Sequence, residues 1–252
     1  MLTHYHEAMI GETAEAGRVA FFGGSFDPPH LGHLTIARAA RAALRLDCVL
    51  FAPVGAQPLK PQGSTAPFPD RWAMTTLAIE GEPGFQMSLA DAPNATGQPN
   101  YTLDTLRNLR AALAPGGVLF CLMGADSFAG LRHWRGGAQI PFAAALIVAS
   151  RPGQRLDDLK AFLPEGVTLE RELMYTEAGL TEPVSYVKRR SYLLRNAAGE
   201  TAHFHLLPGL EVEISASRIR EQVRGDSDAQ PAGQELLTSS VAAYIRAHGL
   251  YR

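Results

Sequence analysis

Short apolar runs and stretches of helical spacing take turns along this chain. Arg18 to Phe22, within RVAFFGG, is apolar and β-prone and stops at Gly23-Gly24, which predicts a first strand. After the loop SFDPPH, the stretch LGHLTIARAARAALRL puts Leu34, Ala37, Ala40 or Arg41, and Leu44 on one helical face. Cys48 to Ala52, stopped by Pro53, predicts the next strand. Strand, glycine loop, helix and strand in this order make the βαβ unit of a parallel sheet. The irregular stretch GAQPLKPQGSTAPFP is a loop. Asp70 to Ile79 predicts a helix with Asp70 near its start, Phe85 to Leu89 a strand, and Thr102 to Leu113 a helix ended by Pro115-Gly116-Gly117. Val118 to Met123 and Ala143 to Ala149 are continuous apolar runs, as in strands covered on both faces. Leu156 to Phe162 reads as a helix. The pattern weakens from about Thr168 to Ala202, so 165–205 reads as an inserted excursion or loop region, with Lys188-Arg189-Arg190 as a solvated face. His203 to Leu207 resumes as a strand, Arg218 to Val223 as a short helix, and Gln234 to Ala247 as a longer helix with Gly249 at its C′ position.

Composition narrows the class. Hydrophobic residues make up 46% and charged residues 19% of 252 positions, which excludes a disordered or collagen-like chain. Residues 18–252 read as one α/β domain behind a flexible N-terminal tail, 1–17. The 23 Lys and Arg against 25 Asp and Glu create no general field for polyanions, so nucleic acid is not an expected partner. A small phosphorylated ligand needs only local positive charge and stays open. Cys48 and Cys121 each lie inside an apolar run, as buried free thiols do. No apolar run reaches membrane-span length, and the polar N-terminal stretch lacks a signal-peptide core; the expectation is a cytoplasmic protein without a membrane partner.

The densest chemistry is Gly23-Gly24-Ser25-Phe26-Asp27-Pro28-Pro29-His30-Leu31-Gly32-His33, at the junction of the first strand and first helix. Open parallel sheets bind ligands outside the carboxyl ends of their strands. Glycines let the backbone approach a phosphate, and a helix start favours an anion. His30 and His33, three apart, share one face there and can donate to the same phosphate chain. Neither G-x-G-x-x-G nor G-x-x-x-x-G-K-[ST] is present. A His-x-x-His metal site stays open from the spacing, although no further ligand can be identified.

GGSFDPPHLGH resembles the G-x-F-x-P-x-H-x-G-H signature of the nucleotidyltransferase α/β-phosphodiesterase superfamily. Its second signature, I-S-x-[ST]-x-[IV]-[RK], is matched by Ile214-Ser215-Ala216-Ser217-Arg218-Ile219-Arg220. Ser215 can cap that short helix, opening a second helix start to phosphate. Within the superfamily the chain resembles the bacterial nicotinate-mononucleotide adenylyltransferases. The stretches that carry this are Pro99 to Leu106 (PNYTLDTL), Gly124-Ala125-Asp126-Ser127 with Trp134 downstream, Ser150-Arg151-Pro152-Gly153, and the ending Gly249-Leu250-Tyr251-Arg252. Leu59 stands where the family usually has His.

The resemblance implies a Rossmann-like open parallel sheet with helices on both faces. It implies transfer of AMP from ATP to nicotinate mononucleotide, with Mg²⁺ arriving on the ATP. His30 and His33 would stabilise phosphate charge, and Lys60 and Arg220 would assist the leaving pyrophosphate. ATP would contact Gly23, Gly24, Ser25, Phe26, Gly124, Asp126, Ser217 and Ile219 besides the histidines and Arg220. The mononucleotide would meet Ser25, Tyr101, Thr102, Trp134 and Arg151: Trp134 as a face for the pyridine ring, the Tyr101-Thr102 helix start for its carboxylate, and Arg151 for its phosphate. A sister enzyme using nicotinamide mononucleotide or phosphopantetheine, and an inactive nucleotide-binding regulator, are the alternatives.

Overall fold

The computed structural model describes residues 17–57, 63–150, 159–173, 189–210, 214–225 and 234–252. Among them, eight strands form one sheet: β1 (Arg18–Gly24), β2 (Cys48–Pro53), β3 (Phe85–Met87), β4 (Val118–Gly124), β5 (Ala145–Ala149), β6 (Val167–Leu173), β7 (Arg190–Asn196) and β8 (Thr201–Leu207). Their order is β3-β2-β1-β4-β5-β8-β7-β6. The first six in that order run parallel, whereas β8-β7 and β7-β6 pair antiparallel.

Parallel neighbours need crossovers, and helices lie in them: α1 (Leu31–Leu44), α2 (Phe68–Ile79), α3 (Thr102–Ala112), α4 (Ala125–Gly130), α5 (Ile140–Ala143) and α6 (Leu159–Phe162); α7 (Ala216–Gly225) and α8 (Ser239–His248) follow the last strand. Side chains alternate across a strand. On β1, Val19 and Phe21 therefore join a core with Leu103, Leu106 and Leu109 of α3 and Phe128 of α4. Ala20 and Phe22 join Leu34, Ala37 and Ala40 of α1 on the opposite face. Each buried leucine of α3 stabilises by roughly 1.5–3 kcal/mol, enough to hold a helix of this length in place. A third cluster, with Met74 and Ala78 of α2, Ile219 of α7, and Val241 and Ile245 of α8, binds the C-terminal helices beside the sheet.

Within 165–205 the described residues are more regular than a loop region: 167–173 and 190–196 are strands of the main sheet. Their charges, Glu170-Arg171-Glu172 on β6 and Arg190 and Arg195 on β7, break the apolar pattern and pair across the ladder. Arg195 Nε donates to Glu170 Oε1 at 2.6 Å, and Arg190 grips Glu172 with two bonds of 2.9 and 3.1 Å. An antiparallel margin can keep one face wet, and its charges discourage edge-to-edge pairing. Arg189 is likewise more than a solvated charge. Its guanidinium donates to the Ala43 carbonyl at 2.6 Å, and Arg18 Nε donates to Leu44 O at 2.9 Å. Both meet the negative C-terminal end of α1. Two boundaries also shift. Pro141 sits in the first turn of α5, so the apolar run becomes strand only at Ala145. Thr238 Oγ1 accepts from Val241 N at 3.3 Å and starts α8 there, leaving Gln234–Leu236 as a separate 3₁₀ turn.

Candidate functional site

Strand order reverses between β1 and β4, and two cavities open there beyond the carboxyl ends of the strands. One, of about 530 Å³, lies toward α1 and α7. The other, of about 430 Å³, lies toward α3 and Trp134. Both volumes fall in the range of small-molecule sites. They meet at Gly23, Gly24, Ser25, Met123, Asp126 and Ser127, which line both.

Glycine is required at Gly23, where a Cβ would lie 2.7 Å from the Phe21 ring. Phe26 holds a left-handed φ of 45°, costly for a bulky residue, of order 1–3 kcal/mol. Its ring repays this by packing edge-on to Phe22 at 5.6 Å and against His33 at 4.9 Å. Asp27, 4% exposed, anchors the loop: Oδ2 accepts from Thr65 N at 2.6 Å, and Oδ1 accepts from Ala66 N at 3.1 Å and Tyr251 Oη at 2.8 Å. Arg71, fully buried, donates to Ser25 O, Val54 O and Ala66 O at 2.7, 2.8 and 3.1 Å. Gln57 Nε2 donates to Ser25 Oγ at 2.6 Å. None of these four anchors, Asp27, Arg71, Gln57 and Tyr251, was assigned a role from sequence. Asp27 and Tyr251 lay inside recognised motifs; Arg71 and Gln57 carried no local signal.

His30 caps the N-terminus of α1, and both imidazoles line the larger cavity, stacked with centroids 3.7 Å apart. His33 Nδ1 accepts the His30 N–H at 3.2 Å. Burial, followed by the charge of His30, holds the His33 pKa well below the ordinary value of 6.5. His33 is therefore neutral at pH 7 and carries its proton on Nε2, as a donor. Across the same cavity, Ser215 Oγ accepts from Arg218 N at 3.2 Å and caps α7 as expected. Arg220 Nη1 donates to Asp27 O at 2.7 Å and Nη2 to Ser217 Oγ at 3.2 Å, tying α7 to the loop. Phe26, Gly124 and Ser217 also line this cavity. Ile219 does not: it is fully buried in the C-terminal cluster, because position 219 falls on the inner face of α7. Its side chain packs in the core, so any contact of Ile219 with ATP would fall to its backbone. Lys60, Leu59 and Arg151 lie outside the described residues.

In the smaller cavity, Tyr101 and Thr102 open α3 as expected, with no side chain capping it among the described residues. Trp134 is half-buried; it lines this cavity and packs against the core beneath. Arg135 stacks over the Tyr101 ring at 4.2 Å and pairs with Asp104 at 3.5 Å. Asp91, 4% exposed, lines the cavity floor and accepts from Thr105 Oγ1 at 2.5 Å. Burial raises its pKa from 3.8 to about 6, opposed by the Thr105 bond. Burial, then the Asp91 charge, pushes the neighbouring Cys121 thiol up to about 12. Asp91 and Arg135 were missed from sequence, the first because a carboxylate in a loop after a three-residue strand has no local pattern.

The cytidylyltransferase-like family model matches residues 21–222. The chain is 33% identical over 234 residues to a "Probable nicotinate-nucleotide adenylyltransferase" of Solibacter usitatus, covering 93% of this chain and 99% of that protein. It is 36% identical over 240 residues to one of the same name in Stenotrophomonas maltophilia, covering 92% and 96%. In structure it resembles the nicotinic acid mononucleotide adenylyltransferase of Plasmodium falciparum, solved with NaAD, at a TM-score of 0.64, 16% identity and coverage of 93% and 97%. The last likeness establishes the fold alone. No helix among the described residues is long and apolar enough to cross a membrane. Identity at this level across nearly the whole of both chains settles the kinship: this chain belongs to the nicotinate-nucleotide adenylyltransferase family.

Proposed function

We propose that this chain transfers the adenylyl group of ATP to nicotinate mononucleotide, giving deamido-NAD and pyrophosphate. The observation that carries the reading is the pair of nucleotide-sized cavities sharing one phosphate-facing junction, Gly23 to Ser25 with Asp126. ATP takes the cavity of His30, His33, Ser217 and Arg220; the mononucleotide takes that of Tyr101, Thr102 and Trp134. An oxygen of the mononucleotide 5′-phosphate forms a bond to the α-phosphorus as the bond from that phosphorus to the bridging oxygen breaks, and pyrophosphate departs. The nucleophile is already anionic, so no general base is needed. Catalysis is alignment plus charge stabilisation. The His33 Nε2–H and the start of α1 face the phosphates; Arg220, held by Asp27 and Ser217, faces the leaving group. Lys60 and Arg151 retain the roles the resemblance gives them.

The donor set fits magnesium carried in on the triphosphate. Mg²⁺ is commonly held by one or two carboxylates plus phosphate oxygens, and Asp126 stands exposed at the junction. Among the described residues there is no group of three metal-ligating side chains. When bound, the ion would neutralise triphosphate charge. The buried free thiols Cys48 and Cys121 suit a reducing cytoplasm.

The uncapped start of α3 presents N–H donors and positive dipole to the pyridine substituent. A carboxylate gains there, whereas a carboxamide brings its own donors. With ATP fixed, kcat/KM for nicotinate mononucleotide should exceed that for nicotinamide mononucleotide by orders of magnitude. Equal values, or preference for the amide, would overturn the substrate while leaving adenylyl transfer standing.

A further inference from the structure

Asp91 is a buried carboxylate without a cationic partner among the described residues, and nothing in the reaction described above uses it. Its Oδ1 is occupied by the Thr105 hydroxyl, but among the described residues its Oδ2 receives no hydrogen bond. Neither is Oδ2 a sealed-off orphan, since it keeps surface toward the smaller cavity, whose floor Asp91 forms. Burying a carboxylate without a full set of donors is costly, and such a group calls for a donor from whatever fills the cavity.

Its level in the cavity says which part of a ligand it meets. A Cβ placed on Gly23 would lie 3.5 Å from Asp91 Oδ2, so the carboxylate flanks the phosphate-facing end of β1. On its other side Thr105, which holds it, bonds back to Tyr101 O at 3.1 Å, one turn from the start of α3. Asp91 thus stands between the phosphate junction and the ring-facing wall of Tyr101 and Trp134. In a pyridine mononucleotide, the group between phosphate and ring is the ribose.

We infer that Asp91 recognises the ribose hydroxyls of the pyridine mononucleotide, with Oδ2 accepting a hydroxyl hydrogen bond. The inference rests on the adenylyl-transfer reading above and adds a specificity residue to it. Cys121, the titratable group beside it, stays a neutral thiol and competes for no proton. Asp91 does not line the ATP cavity, so its effect is confined to one substrate.

The test compares nicotinate ribonucleotide with its 2′-deoxy and 3′-deoxy analogues, at saturating ATP, on the wild type and on Asp91→Asn. Asparagine keeps an oxygen for Thr105 but removes the charge. The wild type should lose roughly ten- to a hundredfold in kcat/KM with the analogue lacking the bonded hydroxyl, the size of a hydrogen bond to a charged group. In Asp91→Asn the ribonucleotide should fall toward the level of that analogue, with the KM for ATP unchanged. Equal use of all three nucleotides by the wild type overturns the inference, whatever the variant does. So does a variant whose ribo-to-deoxy ratio matches the wild type. No turnover of the ribonucleotide by the wild type would instead overturn adenylyl transfer, and this inference with it.

Discussion

One imidazole illustrates how a backbone contact sets a protonation state. The His30 N–H occupies His33 Nδ1 at 3.2 Å, and burial first, then the charge of neighbouring His30, keep His33 from charging. A neutral donor with a fixed tautomer needs no reorganisation as charge develops on a phosphate, which is what preorganised stabilisation requires. His33→Ala should therefore lower kcat by ~10²–10³. The same change removes an acceptor from the first turn of α1, at a cost of about 0.5–2 kcal/mol, so thermal unfolding should move by only a few degrees. A folded variant with near-normal kcat would refute the assignment. At this scale the sequence was readable where spacing carried the chemistry, as with two histidines three apart at a helix start. It was unreadable where chemistry depends on burial. Asp91 acquires its character from being enclosed, and Arg71 from three carbonyls contributed by separate loops.

Elements decide how far such local arrangements are held in place. The C-terminal segment folds back on the glycine loop: α8 packs on α2, Gly249 turns the chain with φ 60°, and Tyr251 reaches back to Asp27. Burial, then the Asp27 carboxylate, drives the Tyr251 pKa upward, so its hydroxyl stays a donor at any working pH. Through Asp27 the C-terminal segment braces both Thr65-Ala66 and, by the Asp27 carbonyl, Arg220. Tyr251→Phe should raise the KM for ATP about tenfold and leave that for the mononucleotide nearly unchanged, the loss being one charge-assisted hydrogen bond partly compensated by Ala66 N. Steady-state kinetics with each substrate varied in turn checks this; parallel rises in both KM values would make Tyr251 a general stabiliser. The βαβ core could be read from sequence because each strand buried on both faces is an unbroken apolar run and each helix shows an apolar face. Strands β6 and β7 escaped because their charges pair with each other along the sheet margin, a fact that lies in partners some 20 residues apart. The burial of the Ile219 side chain was hidden for the same kind of reason: a motif names consecutive residues, whereas a helix sends neighbouring side chains to different faces.

At the scale of the folded molecule, the described residues include two histidines held neutral, His33 and His205, and a carboxyl readily protonated, Asp91, and these pull stability in opposite directions with pH. His205 is buried on β8, with Nδ1 2.9 Å from Ser191 Oγ. Burial first, then the charges of Arg189, His203 and Arg18, lower its pKa from 6.5 to about 3. As pH falls below 6.5, the unfolded chain takes up a proton that folded His205 refuses until about pH 3, so stability is lost at about 1.4 kcal/mol per pH unit across that window. His33, also depressed, acts in the same sense. Asp91 acts oppositely: folded, it accepts a proton near pH 6, while the unfolded carboxyl waits until 3.8, so acidification between those values returns stability. His205→Asn keeps a partner for Ser191 and removes one titration. Between about pH 7.5 and about pH 5 the wild type should lose about 2 kcal/mol more than the variant, read from urea midpoints at the two pH values. That difference is the distance from 6.5 to the lower pH multiplied by the slope, and the burial of His205 leaves little solvent screening to reduce it. If both proteins lose the same stability on acidification, folded His205 takes up its proton at the same pH as the unfolded chain, and the cluster of Arg18, Arg189 and His203 around it would have to be balanced by a nearby anion.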